Sequence, residues 1–311
     1  VDVAIKMALQ YHFNRGEKRS KIVALENAFH GDTFGAMSVS GLSVYNGPFE
    51  DFLLEIERIP VPNDLNMDAL EIRFRQILED EDVAAFIFEP LVQGAAAMHM
   101  YPARHLEVLM ELARSHGALT IADEVMTGFG KTGRNFASDY LKEGPDIICL
   151  SKSLTAGVAP MALTCCSQNV FDAFCDKEVS KGFFHGHTYS ANPLACAAAL
   201  AGMDLLATEA IQDSIQRIAE RHLQFEAEVK HHPMVKSTRS LGVIFALDLD
   251  IETERYGNLR DRLYRFFMDQ GVFLRPLGNT IYLLPPYTIA EQELTLLYSS
   301  ILNCLEMLSH E

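Results

Sequence analysis

An aspartate and a lysine occupy places from which their side chains can reach a bound molecule. Asp123 closes the apolar run Leu119-Thr-Ile-Ala122, and Lys152 follows Ile147-Ile-Cys-Leu-Ser151. Both runs are short, apolar and rich in β-branched residues, as strands of a buried sheet are. In open α/β sheets the carboxyl ends of strands face the ligand crevice, which sets the amine and the carboxylate beside one ligand. Pyridoxal phosphate requires such a pair. An amine bonds its aldehyde as an imine, and a carboxylate keeps its pyridine nitrogen protonated so that the ring can accept electrons from a substrate carbanion. Either residue taken alone reads more simply as a solvated charge at a strand end.

Strand-length apolar runs also occur at Lys21 to Glu26, Val83 to Glu89, Ala118 to Asp123, Asp146 to Ser151 and Met161 to Cys166. They alternate with helical patterns, the rhythm of a largely parallel sheet covered by helices. Leu106, Leu109, Met110 and Ala113 make one helical face, with Gly117 as its stop. Asn192-Pro193 starts a helix, Asn as cap and Pro at the first helical position. The spacing of Ile211, Ile215, Ile218, His222, Phe225 and Val229 predicts an amphipathic helix, suited to bridge two domains. A small α+β domain follows. Its expected elements are a strand at Gly242 to Leu249, a helix at Leu259 to Gln270 and strands at Val272 to Arg275 and Thr280 to Leu284. A terminal helix ends the chain, opened by a capping box of Thr288 and Glu291. The expected division is a large domain over 1–209 and the small one over 210–311.

The 311 residues are 49% hydrophobic and carry a formal net charge of −16, so a large core is available but no basic stripe for nucleic acid or an anionic membrane. Cys149, Cys165, Cys166, Cys175, Cys196 and Cys304 form no CxxC pair and lie mostly among apolar residues, as buried thiols of a cytoplasmic protein do. The most apolar helix candidate, Leu194 to Leu206, is too short for a bilayer, and no signal peptide opens the chain. Val1 is not an initiator methionine, and Val3, Met7 and Gln10-Tyr11 already follow helical spacing, so the chain is expected to begin inside a helix, as a fragment or after loss of an upstream part.

Gly128-Phe-Gly130-Lys-Thr-Gly133 matches G-x-G-x-x-G after a strand. A dinucleotide site would also need an acid at the end of the next strand, where Ser151-Lys152 stand, and a P-loop would need glycine in place of Val125. Nucleotide binding is therefore declined. His185 and His187 lack an acid or cysteine at ligand spacing, so they are expected to be structural and no metal is expected.

Three stretches together resemble the class III aminotransferases of pyridoxal-phosphate fold type I: Ile-Ala-Asp-Glu-Val at 121–125, Thr-Gly-Phe-Gly-Lys-Thr-Gly at 127–133 and Leu-Ser-Lys-Ser-Leu-Thr-Ala-Gly at 150–157. The resemblance spans essentially the whole chain. It implies that Asp123 pairs with the pyridine nitrogen and that Lys152 is the Schiff-base lysine and general acid/base. It places Val125 on one face of the ring and Phe29, in Asn-Ala-Phe-His-Gly-Asp-Thr-Phe-Gly at 27–35, on the other, although a core role for Phe29 is as consistent with the residues. Glu89, in Phe-Glu-Pro, looks like the family's buried acid near the cofactor, against the alternative of an exposed strand-end acid. Thr188, in His185-Gly-His-Thr-Tyr-Ser-Ala-Asn-Pro-Leu-Ala-Cys196, matches the threonine that reaches the cofactor phosphate of a neighbouring subunit, which implies a homodimer with shared sites.

Many relatives that use glutamate carry Gln-Gly-Glu after Glu-Pro, whereas this chain has Glu89-Pro-Leu-Val-Gln-Gly-Ala95; Met126 stands where a glutamine is common. The segment Phe273-Leu-Arg275-Pro-Leu-Gly-Asn-Thr-Ile-Tyr282-Leu-Leu-Pro-Pro-Tyr287 resembles that of the adenosylmethionine:8-amino-7-oxononanoate aminotransferases of biotin biosynthesis. The resemblance implies 8-amino-7-oxononanoate and S-adenosylmethionine as substrates, with Arg275 on the oxononanoate carboxylate, a task for a planar charged fork, and Tyr282 nearby. It also implies an aromatic-rich N-terminal arm and a Gly-Ser phosphate loop upstream of residue 1. Other class III enzymes acting on ω-amino acids or diamines, and a non-catalytic fragment of the fold, are the alternatives.

Overall fold

The computed structural model describes residues 1–41, 46–80, 82–255 and 257–310. The chain divides into two compact units. One comprises Val1–Phe129 and Phe136–Met203, the other Gly130–Asn135 and Asp204–Glu311.

The first unit opens with helix α1 (Asp2–Asn14), strand β1 (Lys21–Leu25), helix α2 (Phe34–Val39), edge strand β2 (Ile56–Ile59) and helix α3 (Met67–Leu78). Strands β3 (Val83–Phe88), β4 (Val92–Gln93) and β5 (His99–Met100) follow, then helix α4 (Ala103–Ser115) and strands β6 (Leu119–Asp123), β7 (Ile147–Leu150) and β8 (Leu163–Cys166). Helices α5 (Gln168–Asp172) and α6 (Pro193–Leu206) complete this part, the division between units falling within α6. The main sheet runs β2-β1-β3-β6-β7-β8, parallel throughout except for β8, as the alternating pattern predicts. β3, buried at every residue, is an unbroken apolar run because both faces of a parallel sheet are covered. On α4 the predicted face of Leu106, Leu109, Met110 and Ala113 is buried, and Gly117 ends the pattern with a left-handed φ of 78°. Asn192 caps α6 as expected, its Oδ1 accepting from the N–H groups of Leu194 (3.0 Å) and Ala195 (3.2 Å).

The cysteine expectation fails in part. Cys149 and Cys304 are buried, but Cys165 and Cys175 are exposed and Cys166 and Cys196 half-buried. The antiparallel edge strand β8 leaves one face uncovered, so apolar neighbours in sequence do not bury Cys165.

The second unit holds helix α7 (Glu209–Val229), strands β9 (Val235–Leu241) and β10 (Ile244–Leu249), helix α8 (Asn258–Asp269), strand β11 (Thr280–Leu283) and helix α9 (Glu291–Ser309). Its antiparallel sheet runs β11-β10-β9. The predicted stripe of α7 is buried at Ile215, Ile218, His222, Phe225 and Val229, packed with Phe245, Phe267 and Leu305. Two local expectations are corrected. Val272 to Arg275 is extended, with Val272 and Leu274 buried and Phe273 and Arg275 exposed, yet it joins no sheet; Pro276 next to it has no N–H to give a ladder. The terminal helix begins at Glu291 with Ala290 as its N-cap, whose N–H donates to Glu293 at 2.8 Å, while Glu291 instead pairs with Arg217 and Arg221. No single helix among the described residues is long and apolar enough to cross a membrane.

Two glycines of the declined motif have a packing reason: a Cβ on Gly128 would lie 2.8 Å from the Glu124 carbonyl oxygen, and one on Gly130, at φ 94°, 2.7 Å from Ile215 Cδ1. The segment after β6 makes turns and opens no α-helix. Gly133 meets Gly242 so closely that a Cβ on Gly242 would lie 2.2 Å from the Gly133 nitrogen, and Val243 N–H donates to the Lys131 carbonyl at 3.0 Å. Backbone passing backbone at that distance requires glycine.

His222 sets a pH response in the second unit. Its Nδ1 lies 2.8 Å from the Tyr298 hydroxyl and its Nε2 3.2 Å from the Val243 carbonyl, and burial pushes its pKa down to about 4. The folded state therefore keeps His222 neutral while the unfolded chain binds a proton below its ordinary pKa of about 6.5. The stabilisation is complete above about 6.5 and declines as pH falls towards 4, by roughly 3 kcal/mol. Urea unfolding at pH 7.5 and 4.5 is expected to show this loss, and His222→Leu to flatten it; equal pH slopes in both proteins would contradict it.

Candidate active site

β1, β3, β6 and β7 are neighbouring parallel strands, so their carboxyl ends share one edge of the sheet. Each exit carries a residue singled out from sequence: Phe29 after β1, Glu89 after β3, Asp123 at the end of β6, Lys152 after β7. The exits are also where non-glycine backbone enters the left-handed region, at Asn27 (φ 60°), Leu91 (65°), Phe129 (61°) and Lys152 itself (44°). Such conformations cost about 1–3 kcal/mol each and persist where surrounding structure enforces them.

Asp123 is buried, 4% exposed, and both its oxygens are engaged. Oδ1 accepts from Val125 N–H at 3.1 Å, and Oδ2 shares a 2.7 Å hydrogen bond with Nδ1 of the fully buried His30 ring. The second nitrogen, Nε2, is buried with no protein partner. His30 is held in turn through its N–H, which donates to Ser40 Oγ at 2.9 Å, while Ser40 Oγ donates to the Ala36 carbonyl at 2.9 Å. Gly41 N–H donates to the Ala28 carbonyl at 2.7 Å, closing this loop over the end of β1.

Glu89 is buried, which removes the alternative of an exposed strand-end acid. Its Oε1 accepts from Phe29 N–H and its Oε2 from Gly94 N–H, both at 3.0 Å. Burial raises its pKa, and the nearby Asp123 charge acts the same way, against His30 and the two N–H donors. The carboxyl thus clips the Phe29 backbone to the turn after β3. Phe29 is 46% exposed, so its ring is not core; a face is open to a ligand. Val125, whose N–H holds Asp123, is half-buried.

Lys152 is exposed, and among the described residues no side chain or backbone group holds its amine. Asp123 pairs in register with Cys149, so Lys152 leaves the neighbouring strand three residues further on. The turn that follows is fixed by Ser151 Oγ donating to the Met161 carbonyl at 2.8 Å. Thr188 is exposed in a stretch without helix or strand. Arg275 and Tyr282 belong to the second unit, Arg275 exposed and Tyr282 half-buried on β11 opposite Ala246. His185 lies 3.2 Å from Lys6 Nζ, and His187 Nδ1 accepts from Tyr189 N–H at 3.1 Å.

Sequence reasoning missed two participants. His30 was passed over beside Phe29, its partner being 93 residues away. Glu124, buried next to Asp123, accepts from Thr127 Oγ1 (2.6 Å), Ala137 N–H (3.0 Å) and Ser138 N–H (2.6 Å), pinning the loop that leaves β6. Met126, one of the two departures, packs against Gly94, the residue before the other at Ala95: a Cβ on Gly94 would lie 3.1 Å from Met126 Cε.

The family model described as Aminotransferase class-III matches residues 1–305. The chain belongs to the class III aminotransferases. Among curated relatives, the adenosylmethionine-8-amino-7-oxononanoate aminotransferase of Synechococcus elongatus is 44% identical over 98% of this chain and 74% of its own. Of solved structures, the enzyme of that name from Methanocaldococcus jannaschii superimposes with a TM-score of 0.90 at 31% identity, covering 99% of this chain and 73% of the other. An amine transaminase from an uncultivated Pseudomonas species, with pyridoxal phosphate bound, gives 0.88 at 33% identity, covering 98% and 73%.

Class III aminotransferases use pyridoxal phosphate, and the residues at the sheet edge suit it. A free amine at Lys152, a buried carboxylate at Asp123 oriented by His30, and a half-exposed aromatic at Phe29 match an aldehyde, a ring nitrogen and a ring face.

Proposed function

We propose that this aminotransferase converts 8-amino-7-oxononanoate to 7,8-diaminononanoate with S-adenosylmethionine as amino donor, a step of biotin biosynthesis in the cytoplasm. The observation that carries the reading is the 44% identity to the Synechococcus enzyme across 98% of the chain. The exposed thiols of Cys165 and Cys175 fit a reducing compartment.

When bound, pyridoxal phosphate supplies an electron sink for the donor's α carbon and stores the amino group between the two halves of the reaction. In our reading Asp123 holds a proton at the pyridine nitrogen, and the His30 hydrogen bond keeps its carboxylate turned to that task. Phe29 and Val125 cover the two ring faces. Lys152 Nζ takes the α proton of the donor and would deliver it to the carbon that was the cofactor's aldehyde, and it would carry a proton in the reverse direction with the ketone. Glu89 keeps Phe29 in place through its backbone. Arg275 binds the oxononanoate carboxylate in a two-pronged, charge-assisted contact, with Tyr282 near it. Thr188 reaches the cofactor phosphate of a second copy. A homodimer is supported by α6, whose Leu200 and Met203, one turn apart, are 64% and 50% exposed, an apolar helix face suited to a partner.

The test separates the two half-reactions. Arg275→Ala is expected to raise KM for 8-amino-7-oxononanoate about 10- to 100-fold, the worth of a charged hydrogen-bonded contact, while S-adenosylmethionine still drives the first half-reaction at the parent rate. The likeness to the amine transaminase favours a second reading, amine or ω-amino acid donors. A cofactor absorbance change with ornithine or β-alanine and none with S-adenosylmethionine would establish that reading in place of the first.

A further inference from the structure

α1 has two working faces. One, formed by Ala4, Ile5, Ala8, Tyr11 and His12, is buried. The other carries Lys6, Gln10 and Asn14, spaced i, i+4, i+8 and therefore stacked along a single side of the helix. All three donate to one segment. Asn14 Nδ2 donates to the carbonyls of Ala173 (3.0 Å) and Lys181 (2.9 Å), and Gln10 Nε2 to those of Gly182 (2.9 Å) and Lys181 (3.3 Å). Lys6 Nζ lies 3.5 Å from the Phe184 carbonyl, 3.2 Å from His185 Nδ1 and 5.6 Å above the Phe183 ring.

Residues 183–187 have no helix or strand of their own. Local backbone hydrogen bonds run from His185 N–H to the Phe183 carbonyl at 3.1 Å and from Ser190 N–H to the His187 carbonyl at 2.9 Å. A segment without a ladder takes its path from whatever satisfies its carbonyls, and α1 meets those of Lys181 and Gly182 at its start and of Phe184 within it. Thr188 is the next residue along. The first residue of α1 adds a second anchor on the same helix: Asp2 accepts from Gly35 N–H at 3.1 Å and from Thr33 Oγ1, just beyond Phe29 and His30.

We propose that Lys6, Gln10 and Asn14 are positioning residues that fix the path of 181–188 and thereby set how firmly a cofactor phosphate is held by Thr188. The second half of this proposal rests on the assignment of Thr188 to that phosphate. The first half does not, and the two are separable by experiment. Gln10→Glu with Asn14→Asp keeps side-chain shape while replacing both amide donors by carboxylates that cannot donate. Lys6→Met, at an exposed position, is a second variant that leaves the buried face of α1 untouched, and Lys6→Arg is its conservative control.

In the holoenzyme, the Gln10/Asn14 pair is expected to quicken hydrogen exchange of the 183–188 amides about tenfold, the worth of one to two net hydrogen bonds, and to raise the dissociation constant for pyridoxal phosphate several-fold. Lys6→Met is expected to act in the same direction and Lys6→Arg to restore parent behaviour. Thr188→Val is expected to weaken cofactor retention without altering exchange. Unchanged exchange in the folded Gln10/Asn14 and Lys6→Met variants overturns the positioning role. Faster exchange with unaltered cofactor affinity, in a protein where Thr188→Val does weaken it, overturns the coupling. If Thr188→Val leaves affinity unchanged, the phosphate assignment falls, and exchange alone decides the role of the stripe.

Discussion

Lys152→Ala is expected to reduce formation of 7,8-diaminononanoate by about 10,000-fold or more. Removing a positioned acid/base group typically costs about 100- to 10,000-fold, and in the proposed role this lysine also bonds the cofactor aldehyde, so the upper end applies. The fold should not suffer. The side chain is exposed and its amine has no partner among the described residues, so the thermal midpoint is expected to stay within the small range of surface changes. Borohydride treatment with pyridoxal phosphate should label Lys152 in the parent and nothing at that position in the variant. Turnover within tenfold of the parent, or a label on another lysine, would remove Lys152 from the reaction.

Asp123→Asn is the second large effect. The exchange keeps shape but removes the charge from a position 4% exposed, beside a histidine that is itself fully enclosed. Losing one partner of a buried charged contact costs about 3–5 kcal/mol, or roughly 100- to 5,000-fold in turnover when the contact serves the transition state. The amide also has only one acceptor oxygen for what are now two donors, Val125 N–H and His30 Nδ1. Cofactor absorbance should therefore shift along with the fall in kcat, whereas KM for the oxononanoate should change little. His30→Ala is expected to show the same signature at smaller amplitude, because it leaves the charge and loosens only its orientation. Parent-like kcat in Asp123→Asn would overturn the assignment.

The parts of this site that sequence made legible are those written in one strand at a time. Asp123 and Lys152 each end an apolar run, and a parallel sheet puts such ends on one edge whatever the connections do. His30 is not of that kind. Its meaning lies in a hydrogen bond to a residue 93 positions away, and nothing in the loop at 27–35 announces a partner. Glu89 is similar: its clip joins Phe29 and Gly94 through backbone N–H groups, which carry no residue signature. The strand β2 was invisible because it is four residues long and carries Glu57 and Arg58 in its middle. The expected strand at Val272 to Arg275 had the right alternation but no neighbour to pair with, and pairing cannot be read from one segment. Periodicity was most reliable where a face is fully covered, as on α4 and α7.

The packing of Met126 on Gly94 also bears on the routes by which descendants of this protein can diverge. An alanine at 94 asks Met126 Cε to retreat by a few tenths of an ångström, and anything larger asks the whole thioether to leave a half-buried place. A shorter residue at 126 comes at the cost of a small void but opens position 94 to new side chains. The same two substitutions are thus harmful in one order and tolerable in the other. Lineages that acquire a different turn after β3 should carry the change at 126 first.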